Sequence, residues 1–212
     1  MHRLLQEARS SNLERAQEAR RPMKIIVAIQ ARMNSSRLPG KVLADLGGQP
    51  MIRRVWDACL GPWQRMVLTT QKPEDDVLCA YLKEQGMVFR RGSEPDVLSR
   101  YAQVAFFDKP HCLVRVCGDA PFLQASWIEA AVKANQAVFV PKALHAGSWI
   151  VWDEANRWAA PYDWEHAGAH WFEEHALLMD LVTDPLYRMV NTPEDLEEAR
   201  SQFAGSPSPG QP

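Results

Sequence analysis

The chain has 212 residues, 46% of them hydrophobic, and a formal net charge of −2 at pH 7. That composition suffices for the core of one enzyme-sized α/β domain, and the near-neutral charge argues against general nucleic-acid binding. No run reaches the roughly 18 apolar residues of a membrane span, and Cys59, Cys79, Cys112 and Cys117 have neither Cys-x-x-Cys nor zinc-ligand spacing, so they read as reduced core residues.

Residues 1–22 carry Arg3, Glu7, Arg9, Glu14, Arg15, Glu18, Arg20 and Arg21, which leave no apolar stretch for a signal peptide. They read as a charged helix or a disordered arm, with Met23 a candidate start and the cytoplasm the expected location. Lys24 to Ile29 is short, apolar and rich in β-branched side chains, as a central strand of a parallel sheet should be. Met66 to Thr70 reads as a second strand. It is followed by a helix over Glu74–Gln85, with Val77, Leu78, Tyr81 and Leu82 on one face and Gly86 as its stop. A short strand at Met87–Phe89 leads to a helix marked by Val97, Leu98, Tyr101, Ala102 and Ala105.

Alternation of strand and helix implies a parallel sheet. Cys112 to Cys117 is a further strand, ending in Gly118-Asp119, after which Ser126-Trp127-Ile128-Glu129 has the form of a capping box. Ala137–Val140 and Trp149–Trp152 supply two later strands, and Arg188–Val190 a final one. Thr192 can cap the helix that follows, with Pro193 at its first position. Residues 23–203 are thus expected as one domain and residues 204–212, rich in Gly, Ser and Pro, as a disordered tail.

Between the first strand and the first helix lies the most informative stretch, Ile29 to Leu43. A buried strand there empties into a loop carrying Arg32, Arg37 and Lys41, two hydroxyls at Ser35 and Ser36, and a Pro39-Gly40 turn able to point Lys41 back toward the arginines. Ligands of open α/β sheets bind at the carboxyl ends of strands, so position and charge agree on an anion site. Neither the Walker pattern nor Gly-x-Gly-x-x-Gly is present. The charge distribution points the same way: residues 1–54 carry eleven Lys or Arg against four Asp or Glu, and residues 153–200 carry three against twelve. Asp119, at a strand end beside Gly118, reads either as a turn cap or as an oxygen ligand for Mg²⁺.

The Ile29–Leu43 run resembles the signature loop of the nucleotidyltransferases that activate sugars. The likeness is to the cytidylyltransferases of spore coat polysaccharide biosynthesis, relatives of the 3-deoxy-manno-octulosonate and acylneuraminate cytidylyltransferases. Three further matches follow in the family's order: Arg91 to Tyr101, Val114 to Phe122, and Val190 to Leu196. The resemblance covers about Met23 to Phe203. It implies a three-layer α/β/α sandwich with a mostly parallel, Rossmann-like mixed sheet. It also implies Mg²⁺-dependent transfer of a nucleotidyl group, CMP from CTP foremost, to a sugar or sugar-acid acceptor, with pyrophosphate as leaving group.

Carried over by residue, the resemblance gives Arg32 and Arg37 the β- and γ-phosphates, and places Lys41 near the α-phosphate and Ser36 in the same loop. Gln30, Ala31 and Ser93 would contact base or ribose, with Gly118 beside them. Arg115 would support the phosphates or Asp119; alone, it reads equally well as a surface strand arginine. Asp119 is the expected metal ligand. The second would be Asn191, where the family usually has Asp in an Asp-Thr-Pro-Glu-Asp segment. Molybdenum-cofactor guanylyltransferases are similar in carrying Asn there, so a guanylyltransferase acting on another acceptor stands as an alternative, as does a non-catalytic nucleotide-binding module. The acceptor segment, Val140 to Arg188, is rich in aromatics (Trp149, Trp152, Trp158, Tyr162, Trp164, Trp171, Phe172). Those could pack as core, face a sugar, or form a homodimer interface. His166, His170 and His175 are expected to bind no zinc.

Overall fold

Strand β1 (Ile25–Gln30) is buried on both faces from Ile26 to Ile29, which is why its sequence is a continuous apolar run with no polar alternation. The computed structural model describes residues 23–134, 136–140, 144–147, 177–178 and 189–204. β1 is flanked in parallel by β2 (Gln64–Thr70) and β4 (Cys112–Cys117), and β3 (Phe89–Gly92) adds in parallel to β2. Beyond β4 the sheet becomes mixed. β6 (Leu144–Gly147) runs antiparallel to both β4 and β5 (Val138–Val140), and β7 (Leu177–Leu178) is parallel to β5. The seven-stranded order is β3-β2-β1-β4-β6-β5-β7.

Helices cover both faces, as expected for an α/β/α sandwich. Val27, Ile29, Val67, Val114 and Val116 point to one face. There they pack with Ile52 and Val55 of α1 (Met51–Ala58), Leu78 and Leu82 of α2 (Asp76–Glu84), and Trp127 and Ile128 of α4 (Ala125–Ala134). The other face receives α3 (Val97–Asp108), whose buried Tyr101 places its hydroxyl 3.5 Å from the Ala28 carbonyl. A reversal of direction explains this split. From β1 to β3 the chain steps outward with helices on one side, and the return from β3 to β4 must cross on the other side to remain right-handed.

Several expected elements shift. The third strand lies at Phe89–Gly92, because Met87 is buried in the core as part of the helix-to-strand connection and the pairing with β2 starts at Phe89. Of the four residues expected on one face of the second helix, Val77 is 55% exposed and Cys79 is buried in its stead. A 3₁₀ turn over Pro73–Asp75 precedes that helix. Ser126 is no N-cap: α4 has already begun at Ala125, with the Gln124 carbonyl accepting from Trp127 N–H at 3.1 Å. Val190 lies in no strand, but its N–H donates to the Asp119 carbonyl at 2.8 Å.

Thr192 caps α5 (Pro193–Phe203) in a full capping box with Asp195, and Pro193 opens the helix. α1 and β6 were not evident from the sequence. The expected arm 1–22, the Trp149–Trp152 strand, the aromatic and histidine-rich segment from Trp149 to His175, Arg188 and the residues after Ala204 lie outside the described residues. Among the described residues no helix is long and apolar enough to cross a membrane.

The thiols expected to be reduced core groups are in no disulfide, and Cys59, Cys79 and Cys112 are buried. Burial pushes the Cys59 thiol up to about 12 and raises Cys117 as well. In the unfolded chain such thiols ionise from about pH 8.5, while in the fold they stay protonated. The unfolded state therefore binds fewer protons above that pH, and stability falls as pH rises. Urea unfolding at pH 8, 9 and 10 should show a declining free energy, by up to about 1.4 kcal/mol per pH unit for each such group. Cys59→Ala should flatten the decline.

Candidate active site

The end of β1 is held from both sides. Ala31 N–H donates to the Leu68 carbonyl of β2 at 3.0 Å, and Gly118 N–H donates to the Gln30 carbonyl at 2.7 Å. A Cβ on Gly118 would lie 2.7 Å from that same oxygen, so glycine is required for the strand ends to approach. Gly118, expected beside the residues that contact base or ribose, thus has a backbone reason of its own. Past Ala31 the chain loops out and returns, closed by Gly40 N–H donating to the Met33 carbonyl at 2.8 Å. Gly40 adopts φ 74°, a left-handed conformation that suits glycine, and a 3₁₀ turn over Lys41–Leu43 follows.

That turn drives Lys41 inward. Its side chain is 8% exposed, and its ammonium meets Asp119 Oδ2 at 2.5 Å, the Val190 carbonyl at 2.9 Å and Asn191 Oδ1 at 3.0 Å. An ammonium has three donors, and these three acceptors match them. Arg37 Nη2 donates to the same Asn191 Oδ1 at 2.8 Å. The sequence expectation was that all three loop cations would converge. Lys41 and Arg37 do so at Asn191, whereas Arg32 Nη1 pairs with Glu94 Oε1 at 2.9 Å. Glu94 holds a β3–α3 loop position sixty-two residues away, and no local sequence signal reveals that pairing.

These groups line one cleft of about 180 Å³: Gln30, Ala31, Arg32, Ser35, Ser36, Arg37, Lys41, Val42, Cys117, Gly118, Asp119 and Asn191. Nine of the eleven residues anticipated from the sequence are therefore assembled there. Ser93 borders a neighbouring hollow of about 460 Å³ with Gln71, Lys72 and Glu94, and its hydroxyl accepts from Asp96 N–H at 3.2 Å. Arg115 points to the α3 face, its guanidinium 5.7 Å from the Tyr101 ring centroid, where the cation opposes the burial that raises the Tyr101 and Cys117 pKa values. The Cys117 thiol in the cleft thus stays neutral.

A metal finds a suitable donor here. Asp119 Oδ1 is buried without a hydrogen-bond partner, a hard oxygen of the kind Mg²⁺ prefers. Asn191 Oδ1 already faces two cations. Among the described residues no group of three or more His, Cys, Asp or Glu could hold an ion. This does not exclude Mg²⁺, which is often held by one or two carboxylates plus phosphate and water.

A mixed α/β sheet with a cation-lined cleft at the carboxyl ends of its two central strands is the architecture of the nucleotidyltransferase fold. A family model described as cytidylyltransferase matches residues 26–187, and the chain belongs to that family. It is 36% identical over 118 residues to the spore coat polysaccharide biosynthesis protein SpsF of Bacillus subtilis, a match covering 52% of this chain and 49% of that one. The chain spans about half the length of the curated relatives it matches. Among solved structures, a cytidylyltransferase from Leptospira borgpetersenii superposes with TM-score 0.79 at 24% identity, covering 88% of this chain and 89% of that one. A CMP:2-keto-3-deoxy-manno-octonic acid synthetase complexed with CTP superposes with TM-score 0.66 at 17% identity, covering 85% and 98%.

Gly118→Ala should destabilise the fold by about 1–3 kcal/mol, the usual cost of overpacking, because the Cβ would press on backbone with no side chain free to yield. Urea denaturation measures this, and an unchanged midpoint would contradict the close approach of β1 and β4.

Proposed function

We propose that the chain is a transferase that moves CMP from CTP to a sugar or sugar-acid acceptor, with residues 23–203 as its catalytic domain. The observation that carries this reading is the Lys41–Asp119–Asn191 junction at the base of a cleft whose walls present Arg32, Arg37, Ser35 and Ser36. Membership of the cytidylyltransferase family supports the choice of CTP, as does the likeness to a synthetase complexed with it.

In the reaction an acceptor oxygen forms a bond to the α-phosphorus as the bond to the β-phosphate oxygen breaks. Pyrophosphate leaves and the acceptor's proton passes to water. Such transfers depend on positioning and charge stabilisation, with little covalent chemistry from the protein. Arg32 and Arg37 hold the β- and γ-phosphate oxygens through charge-assisted hydrogen bonds, and Ser35 and Ser36 add hydroxyl donors. Lys41, its three donors committed at the floor, acts through its positive charge on the charge that develops at the α-phosphate. Asp119 would hold a Mg²⁺ ion, which would supply Lewis-acid stabilisation of phosphate charge.

Asn191 favours a second reading, a guanylyltransferase, because a neutral amide replaces the carboxylate usual among sugar-activating relatives. Thermal shifts with the four nucleoside triphosphates and Mg²⁺ separate the two. A triphosphate at a hundred times its Kd should add about 2.7 kcal/mol of stability, and the largest shift should come from CTP. Pyrophosphate release with a panel of sugar acids then tests turnover. Binding without release for every acceptor would leave a non-catalytic nucleotide-binding module. Lys41→Ala and Asp119→Ala should each lower kcat by about 10²-fold or more, as loss of a transition-state contact does. Unchanged turnover in a folded variant would remove that residue from the mechanism.

A further inference from the structure

Asp75 is 1% exposed, in a position where a carboxylate ordinarily serves the helix that follows it. It stands at the N-cap of α2, yet its side chain makes no capping hydrogen bond. The carboxylate turns back instead. Oδ2 accepts from both the backbone N–H of Thr70, at 3.1 Å, and the Thr70 hydroxyl, and Oδ1 accepts from Met33 N–H at 2.6 Å, across forty-two residues. A buried carboxylate with three donors is well satisfied, and truncation of its side chain would orphan all three.

The Met33 peptide is the root of the cation loop. Its N–H is held by Asp75, and its carbonyl accepts from Ser35 N–H at 3.0 Å and from Gly40 N–H at 2.8 Å. The Gly40 bond closes the loop at the residue whose left-handed turn aims Lys41 into the cleft. The turn carrying Asp75 is itself braced by Arg91, which donates to the carbonyls of Thr70 and Lys72, both at 2.7 Å, and to Asp76 Oδ1 at 2.6 Å.

We propose that Asp75 is a positioning residue for the transfer reaction, which fixes the 33–41 loop to the end of β2 through the Met33 peptide and so sets the placement of Arg37 and Lys41. It touches no substrate and acts only through the loop. The proposal rests on the reading of that loop as a triphosphate grip.

The test uses the full chain, with Asp75→Ala and Asp75→Asn. Three readouts are taken: amide hydrogen exchange across residues 33–41, calorimetric affinity for inorganic tripolyphosphate, and KM and kcat with CTP. Asp75→Ala should speed exchange at Met33, Ser35 and Gly40 while the β1 and β4 amides keep their protection, and should weaken tripolyphosphate tenfold or more. KM for the nucleotide should rise with it.

Asp75→Asn retains one oxygen able to accept from Met33 N–H, so it should recover at least half of the lost affinity on a logarithmic scale. A folded Asp75→Ala with wild-type loop exchange and affinity overturns the proposal. If Asp75→Ala does not fold, Asp75→Asn decides alone: its one oxygen can hold Met33 only by releasing Thr70, toward whose N–H the NH2 would then point. The tie of the loop to β2 is thereby weakened, and unchanged loop exchange together with unchanged tripolyphosphate affinity overturns the proposal. Absence of pyrophosphate release by the wild type, with tripolyphosphate affinity and loop exchange still sensitive to Asp75, would remove the transferase reading and leave this one standing.

Discussion

The site depends on one buried ammonium. Lys41 comes from the loop after β1, Asp119 from the end of β4, and Val190 and Asn191 from the segment before α5, at separations of 78, 149 and 150 residues. Removing an ammonium from water is costly, and the cost is offset only when its donors are met with good geometry. Here one carboxylate and two carbonyl oxygens meet them. The junction therefore specifies an arrangement more than it adds net stability: if any of the three segments moves away, a buried donor or charge is left unmatched. Asp119 also accepts Val190 N–H through its backbone, so the same two segments are tied twice.

Asn191 shapes the charge of the cleft. Its Oδ1 accepts from Lys41 and Arg37 together, so the amide draws the two cations to one point without cancelling either. Around the junction, three cations (Arg32, Arg37, Lys41) stand against the carboxylates of Asp119 and Glu94. An aspartate at 191 would add a third carboxylate to the set, whereas the amide leaves the cations one in excess. Asn191 is held in turn by α5. Asp195 Oδ2 accepts from the N–H groups of both Asn191 and Thr192, at 2.9 Å each, so the capping box that starts the helix also fixes the amide in the site.

What the sequence revealed and concealed follows from how far each interaction reaches along the chain. β1 is legible because burial on both faces leaves an apolar run, and α5 because Thr192-Pro193-Glu194-Asp195 is a self-contained cap. β3 shifts because Arg90 and Arg91 are polar residues on an edge strand, while the apolar Met87 draws the eye to the connection before it. α1 follows Pro50 at once and carries two arginines. One of these, Arg54, is buried against the carbonyls of Leu46 and Gly47, and nothing local anticipates it. In the site, the cations were visible because fifteen adjacent residues hold them. Their partners were not: Glu94 and Val190 meet the loop only in the folded chain. Arg115 looked similar to the loop arginines in sequence, but strand alternation turns it to the α3 face.

The cleft opens between β1 and β4 because the chain reverses its direction of winding there. From β1 the connections step toward β3, and from β4 they step toward β6, so the segments leaving the two neighbouring strand ends diverge. Divergence alone would leave a ragged gap. Gly118 extends the pairing one residue past β4 by donating to Gln30, and Ala31 does the same on the β2 side by donating to Leu68. β1 is therefore pinned on both edges up to Ala31, and Arg32 is the first residue able to leave the sheet. That fixed point of departure gives a loop with three long, flexible cationic side chains a defined origin. Lys41 supplies its defined end.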